Sequence, residues 1–262
     1  MKKFLTAIFL IFLMITTSAC NKKEQVQTDL LTQIAANEKF KIGISYDSKP
    51  FSYINDGKLQ GFDVDLSREI AKRVFNNPDI VDFKEVTPSN RILMLNSKKI
   101  DAIISTMSIT NERLRIIDFT SPYFIAGQAI LVHKDAQVRS GKDLNGKPIG
   151  IVLGTTAEKN IRFVATNAKI KGYKHYKDAF SDLKKDKIKA LSTDDSILYG
   201  IILDDPDYKI LPDRYTTDYY AVALRKNSNT AALNKAVSQA IKSMEQDGTL
   251  QYLSKKWHVD KR

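Results

Sequence analysis

Lys41-Ile42-Gly43-Ile44 is an apolar run of strand length, and the stretch Val64 to Val74 that follows spaces Leu66, Ile70 and Val74 four apart, the repeat of one helix face. Further on, Ile80 to Phe83 predicts a strand, Arg91 to Leu95 a helix, Asp101 to Ser105 a strand and Asn111 to Ile116 a short helix. This alternation predicts an α/β protein whose mostly parallel sheet is covered on both faces. A second series starts after Tyr123, with strands at Ala129 to Val132 and Pro148 to Val152, a helix from Ala157, a strand at Ala190 to Ser192 and a helix from Ser196 to Leu203. The chain ends with a strand at Tyr220 to Leu224 and a helix from Ala231 to Gln246. Leu233, Val237, Ile241 and Met244 form the stripe of that helix, and Gly248 stops it.

Before this pattern stand a basic head, Met1-Lys2-Lys3, and an apolar stretch from Phe4 to Ile15, the layout of an export signal over 1–19. The stretch is 12 residues long (15 − 4 + 1), short of the ~18 that a spanning helix requires. Thr17-Ser18-Ala19-Cys20 resembles the bacterial lipoprotein processing box, with Thr17 where an aliphatic residue is usual. Cys20 is therefore the candidate lipidation residue, and 20–38 reads as a polar tether that holds the protein on the cell membrane, facing outward.

With 43% hydrophobic and 27% charged residues, the 262-residue chain has a globular composition, which excludes a disordered or many-pass membrane protein. The net charge of +11 predicts attraction to anions without choosing among them. A single cysteine excludes an internal disulfide. His133, His175 and His258 are too far apart for a compact metal motif, so no metal and no cofactor are expected. Gly141 to Lys147 matches the first seven positions of a phosphate loop, but Pro148 replaces the Ser/Thr and the strand comes after the glycines, so the segment reads as a plain loop. The pairs Asp194-Asp195 and Asp204-Asp205 lack calcium-loop spacing. Lysines are dispersed and not interleaved with aromatics on one face, so no nucleic-acid partner is expected.

Gly61-Phe62-Asp63-Val64-Asp65-Leu66, Lys99-Ile100-Asp101-Ala102-Ile103-Ile104, Ser108-Ile109-Thr110-Asn111-Glu112-Arg113 and Asp118-Phe119-Thr120-Ser121-Pro122-Tyr123 come in that order, with Asp247-Gly248-Thr249 and Lys255-Lys256-Trp257 near the end. Together they resemble the signatures of polar amino-acid-binding proteins of ABC transporters, the bacterial extracellular solute-binding proteins of family 3. The resemblance covers about Phe40 to Trp257. It implies a two-lobe, type II periplasmic-binding-protein fold with the ligand in the interlobe cleft. The implied lobes are 39–125 plus 222–262 and 129–217, joined by hinge strands at 126–128 and 218–221.

Within that frame an amino-acid zwitterion leaving water needs both charges matched. Arg113 occupies the family's Arg position, and its planar fork suits the α-carboxylate. Gly154, Thr155 and Thr156 precede the helix at Ala157, where free amides favour an anion. For the α-ammonium, Asp195 directly before Ser196 resembles the family's aspartate; if it is a helix cap instead, Asp194 takes the role. Ser105 and Ser108 add carbonyl and hydroxyl oxygens. Ser89-Asn90-Arg91-Ile92 resembles a segment of glutamate- and aspartate-binding members, and Lys49 lies on the loop after the first strand, so Arg91 and Lys49 together predict an acidic side chain. Tyr46 and Phe51 are candidates to wall its carbon chain, with a place in the core as the alternative for Phe51.

The function this implies is a monomeric, lipid-anchored receptor that binds glutamate or aspartate and delivers it to an ABC permease, without bond chemistry. Glutamine is the alternative, since its amide does not require both cations. A dehydratase on the same fold would need a general acid or base at the bound side chain, where the candidates are cationic. A sensor domain is disfavoured because no signalling domain follows Arg262.

Overall fold

The computed structural model describes residues 28–203 and 205–260. The expected export signal, Cys20, the tether as far as residue 27 and Asp204 lie outside them. Helix α1 (Leu30–Asn37) precedes β1 (Phe40–Ile44), a small antiparallel sheet of β2 (Asp47–Ser48), β3 (Ser52–Asn55) and β4 (Lys58–Gln60), and helix α2 (Phe62–Phe75). Then come β5 (Val81–Glu85), α3 (Arg91–Asn96), β6 (Ala102–Ile103), α4 (Asn111–Leu114) and the long β7 (Ile117–Ala126). A second unit holds β8 (Gln128–His133), β9 (Pro148–Val152), α5 (Ala157–Val164), β10 (Lys169–Tyr173), α6 (Tyr176–Lys184), β11 (Ala190–Asp194), α7 (Asp195–Ile202) and β12 (Tyr208–Ile210). Finally β13 (Asp218–Arg225), α8 (Ala231–Gln246) and α9 (Thr249–Lys256) return to the first unit.

Two five-stranded sheets result, ordered β5-β1-β6-β13-β7 and β10-β9-β11-β8-β12, each the centre of one lobe of a type II periplasmic-binding-protein fold. β1 sits between parallel partners, Ile42 opposite Phe83 on one side and Ala102 on the other. Phe40, Ile42 and Ile44 are fully buried on one face of the strand, and Gly43 on the other lies against Ile100 and Val86, so both faces are covered. Leu66 and Ile70 of α2 and the expected stripe Leu233, Val237, Ile241 and Met244 of α8 close over this sheet. Each such side chain contributes about 1.5–3 kcal/mol by leaving water. Ile130, Ile149, Ile151 and Ile161 form a corresponding core in the second lobe.

Several boundaries differ from the sequence reading. Residues 30–37 of the expected tether are a helix, because Asp29 caps it through the Thr32 amide and Leu30 and Ile34, four apart, bury against the first-lobe core. The expected hinge segment 218–221 belongs to β13, which pairs with β7 from Asp218 opposite Ala126 to Arg225 opposite Ile117. The two crossings lie just beyond these strands, at Gly127 and Thr216: the Gln128 amide donates to Thr216 Oγ1 at 2.8 Å, and a Cβ on Gly127 would lie 2.8 Å from the Thr216 carbonyl. Phe51 is core, edge-on to Phe62, Phe124 and Tyr220. The Gly141–Leu144 segment is one 3-10 turn ahead of β9, closed by Ser140 and Asp143 on each other's amides.

Candidate functional site

The first lobe supplies two arginines. Thr110 caps the single turn α4 by accepting from the Arg113 amide at 3.2 Å, which turns Arg113 inward. Its guanidinium donates to the Ser108 carbonyl at 2.7 Å and reaches across to the Gly154 carbonyl of the second lobe at 3.1 Å. Arg91 opens α3, 2% exposed, and donates to the Ser105 carbonyl at 2.6 Å, while its Nε has no hydrogen-bond partner among the described residues.

From the second lobe, β9 ends at Val152 and Gly154 turns the chain at a φ of +83°, so that Thr155 and Thr156 stand before α5. Asp194, the last residue of β11, accepts a short hydrogen bond from Tyr220 of the first lobe. Tyr176 opens α6, with its amide on Asp47 at 2.9 Å and its hydroxyl accepting from Thr193 Oγ1 at 3.4 Å. Arg91, Thr106, Ser108, Arg113, Thr155, Thr156, Tyr176 and Asp194 line one narrow cavity between the lobes.

The lobes are closed on each other. Gly154 packs so tightly on the first lobe that a Cβ would lie 2.5 Å from the Pro88 carbonyl, and one on Gly200 of α7 would lie 2.1 Å from the Lys49 carbonyl. At the rim Lys159 pairs with Glu112, and His175 Nδ1 sits 3.4 Å from Asp47. Burial dominates the electrostatics inside. It lowers Arg91 to about 9, with Arg113 pushing the same way, and it lowers Arg113 against the pull of Asp194 and Asp218. Burial, with Asp218 adding to it, raises Asp194 to about 7. An Asp–Arg pair at one end and a second arginine further in can hold a small zwitterion by both charges.

Of the residues singled out in the sequence, Arg91, Ser108, Arg113, Thr155, Thr156 and Asp194 meet in this cavity and the others do not. Asp195, the first choice for an ammonium, is committed elsewhere: one oxygen accepts from the Gly127 and Ser196 amides and the other from Arg214 Nε at 2.8 Å, which ties it to the crossing between lobes. Ser105 stands behind the cavity, its hydroxyl 2.8 Å from that of Ser45. Gly154 lines the outer mouth beside Asp218. Lys49 places its ammonium 5.7 Å from the Tyr53 ring centre, and Tyr46 faces away, its hydroxyl raised by burial and by Glu85. Thr106 and Tyr176 were missed. Thr106 carries no motif of its own, whereas the helix that begins at Tyr176 shows a readable spacing in Tyr176, Ala179 and Leu183, all buried.

The chain matches, over residues 40–260, the family described as bacterial extracellular solute-binding proteins, family 3, and belongs to it. It is therefore an extracytoplasmic solute-binding protein. It is similar to the ABC transporter glutamine-binding protein of Bacillus subtilis strain 168, 35% identical over 268 residues that cover 98% of this chain and 97% of the relative. A glutamine-binding protein of Geobacillus stearothermophilus is 38% identical over 204 residues, 77% of this chain and 78% of the relative. Among solved structures, an ancestral arginine-binding protein bound to glutamine superposes with a TM-score of 0.78 at 34% identity, covering 84% of this chain and 97% of the other.

Proposed function

We propose that this protein is the receptor of an amino-acid ABC importer, that it closes on one α-amino acid with a neutral polar side chain, glutamine foremost, and that it hands the ligand to a membrane permease. Arg113 takes the carboxylate together with Ser108 and the amides ahead of α5, and Asp194 takes the ammonium. The observation that carries the side-chain preference is the pairing of charge around the cavity. Arg113 and Asp194 answer the two ends of the zwitterion, and Arg91 faces the Tyr176 side with the fully buried Asp63 near it. Lys49, the second cation on which an acidic side chain was expected to rest, stands outside the cavity. A neutral amide satisfies Arg91 Nε by its carbonyl without bringing an uncompensated charge into a dry site. The names of the relatives favour glutamine over glutamate or aspartate in the same direction.

No bond is made or broken in this reading; the work done is closure, by rotation about Gly127 and the Thr216–Thr217 crossing. Calorimetric titration with glutamine, glutamate, aspartate and arginine tests it. Glutamine is expected to bind at least about tenfold tighter than glutamate, and at 100 times its dissociation constant to stabilise the protein by ~2.7 kcal/mol. Tighter binding of glutamate, or no binding of any of the four, overturns the reading. Anchoring through a lipid on Cys20 completes the proposal: Cys20→Ala is expected to leave an unprocessed precursor or release the protein into the medium, and an unchanged membrane-bound mature form counts against it.

A further inference from the structure

Asp63 is fully buried in the first turn of α2 and does not itself line the cavity, yet its carboxylate is held from two sides. One oxygen accepts from the Thr106 amide at 3.1 Å and the other from the Tyr123 hydroxyl at 3.1 Å. The Thr106 amide belongs to the same peptide unit as the Ser105 carbonyl, on which Arg91 Nη1 donates at 2.6 Å. A single peptide group thus stands between a buried guanidinium and a buried carboxylate, its oxygen toward the cation and its N–H toward the anion. That is the orientation in which the peptide dipole is stabilised by both charges. Thr106 adopts a positive φ of 44°, a conformation a threonine seldom takes, and both hydrogen bonds hold it there with its side chain at the cavity wall.

The geometry points to Asp63 as a specificity-determining residue: through the Ser105–Thr106 peptide it neutralises Arg91 and so makes the cavity reject an acidic side chain while accepting an amide. This rests on the glutamine reading above and extends it to a residue outside the cavity. With Asp63 ionised, Arg91 is a hydrogen-bond donor with little net charge to offer, and a γ-carboxylate entering the site brings an unanswered negative charge. Without the Asp63 charge, Arg91 becomes a full cation aimed at the ligand's side chain. The groups facing Asp63 are Tyr123 from β7, the Thr106 amide and Arg91 from α3, and burial raises the carboxylate to about 7 against all three, so acid conditions or a bound anion readily protonate it.

The test is calorimetric titration of the whole protein, wild type and Asp63→Asn, with glutamine and with glutamate at pH 8. Asparagine keeps an acceptor for the Thr106 amide and a polar group toward Tyr123, so the change removes charge and little else. The ratio of the glutamate to the glutamine dissociation constant is expected to fall by about tenfold or more, the scale of one unit charge acting across a buried peptide. Tyr123→Phe, which removes a hydrogen bond and keeps the charge, should leave that ratio within about threefold. A merely structural role for Asp63 would weaken both ligands alike and leave the ratio where it was. Should Asp63→Asn not fold, wild type carries the test, because glutamate binding near pH 7, where Asp63 is about half protonated, should take up as much as about half a proton more than glutamine binding, read from titrations in buffers of different ionisation enthalpy. A wild type that prefers glutamate overturns the reading of the site itself. A wild type that prefers glutamine, with an unchanged ratio in Asp63→Asn or equal proton uptake for both ligands, overturns the role of Asp63 alone.

Discussion

Asp194 and Asp195 are neighbours with the same side chain, and the backbone sends them to opposite places. Asp194 ends β11 in extended conformation and Asp195 begins α7, so one carboxylate turns into the cavity and the other toward Gly127 and Arg214. Asp194→Asn is expected to cost about 2–5 kcal/mol of amino-acid binding, because in the proposed reading the ligand's ammonium loses the one carboxylate among the described residues that line the cavity. Asp195→Asn should change ligand affinity by less than about 1 kcal/mol but lower thermal stability, since Arg214 and the Gly127 amide lose an ionic acceptor. Titration and melting of both variants check this, and a binding loss as large for Asp195→Asn as for Asp194→Asn would return the ammonium to Asp195. Residue type and adjacency to Ser196 could not separate the two acids, because what decides between them is the residue at which strand becomes helix. Arg113 was readable because its surrounding motif fixes a local turn, with Thr110 capping α4 three residues earlier. Asp63, quoted within a motif, showed no role in one dimension because its partners Thr106 and Tyr123 lie 43 and 60 residues away.

Elements announced themselves where one face is buried at a regular spacing. α2, α8 and the strands β1, β9 and β11 fall at or near their expected places, because a helix stripe four apart or a strand buried on both faces leaves a pattern in the residues themselves. β7 escaped notice for a physical reason: Pro122 interrupts it, and a proline is tolerated there because β7 is the edge of its sheet, after β13. The small sheet of β2, β3 and β4 is too short and too exposed at its tip for periodicity to show. The contact of α7 with the turn between β2 and β3 is equally invisible in sequence, and it makes a direct test of closure. A Cβ on Gly200 would meet the Lys49 carbonyl at 2.1 Å only when the lobes are shut. Gly200→Ala should therefore weaken ligand binding by about tenfold or more, and its unliganded melt reports how far the lobes close without ligand, set against the ~0.8–1 kcal/mol by which alanine in a helix is favoured over glycine. Titration paired with scanning calorimetry separates the two effects. Unchanged affinity would mean that the closed state leaves room at this contact.

At the scale of the molecule, folding buries several carboxylates, Asp63 inside the first lobe and Asp194 between the lobes, and the protonation of the whole chain records it. Asp63 and Asp194 are both raised from the ordinary 3.8 to about 7, by burial first, and Asp47, Asp101 and Asp218 are raised for the same reason. Exposed Glu112 and Asp247 and half-buried Asp182 are instead held near 2, by Lys159, by Thr249 with Arg73 and by Lys171, so their contribution is already complete above pH 5. Between pH 5 and 7.5 the folded protein thus binds more protons than the unfolded chain. Stability must then be highest at the acid end of this window and fall as pH rises through 7, with each fully buried carboxylate contributing a slope of up to about 1.4 kcal/mol per pH unit. A bound amino acid changes one of the two strongest contributors, because its ammonium beside Asp194 favours the ionised carboxylate. Melting without ligand should accordingly fall from pH 5 to 7.5, saturating glutamine should flatten that fall, and Asp194→Asn should flatten it without any ligand. A profile that is level or rising over the same window in the unliganded wild type would mean that these carboxylates are already ionised at pH 5, Asp194 through an open cleft and Asp63 in spite of its burial within the first lobe.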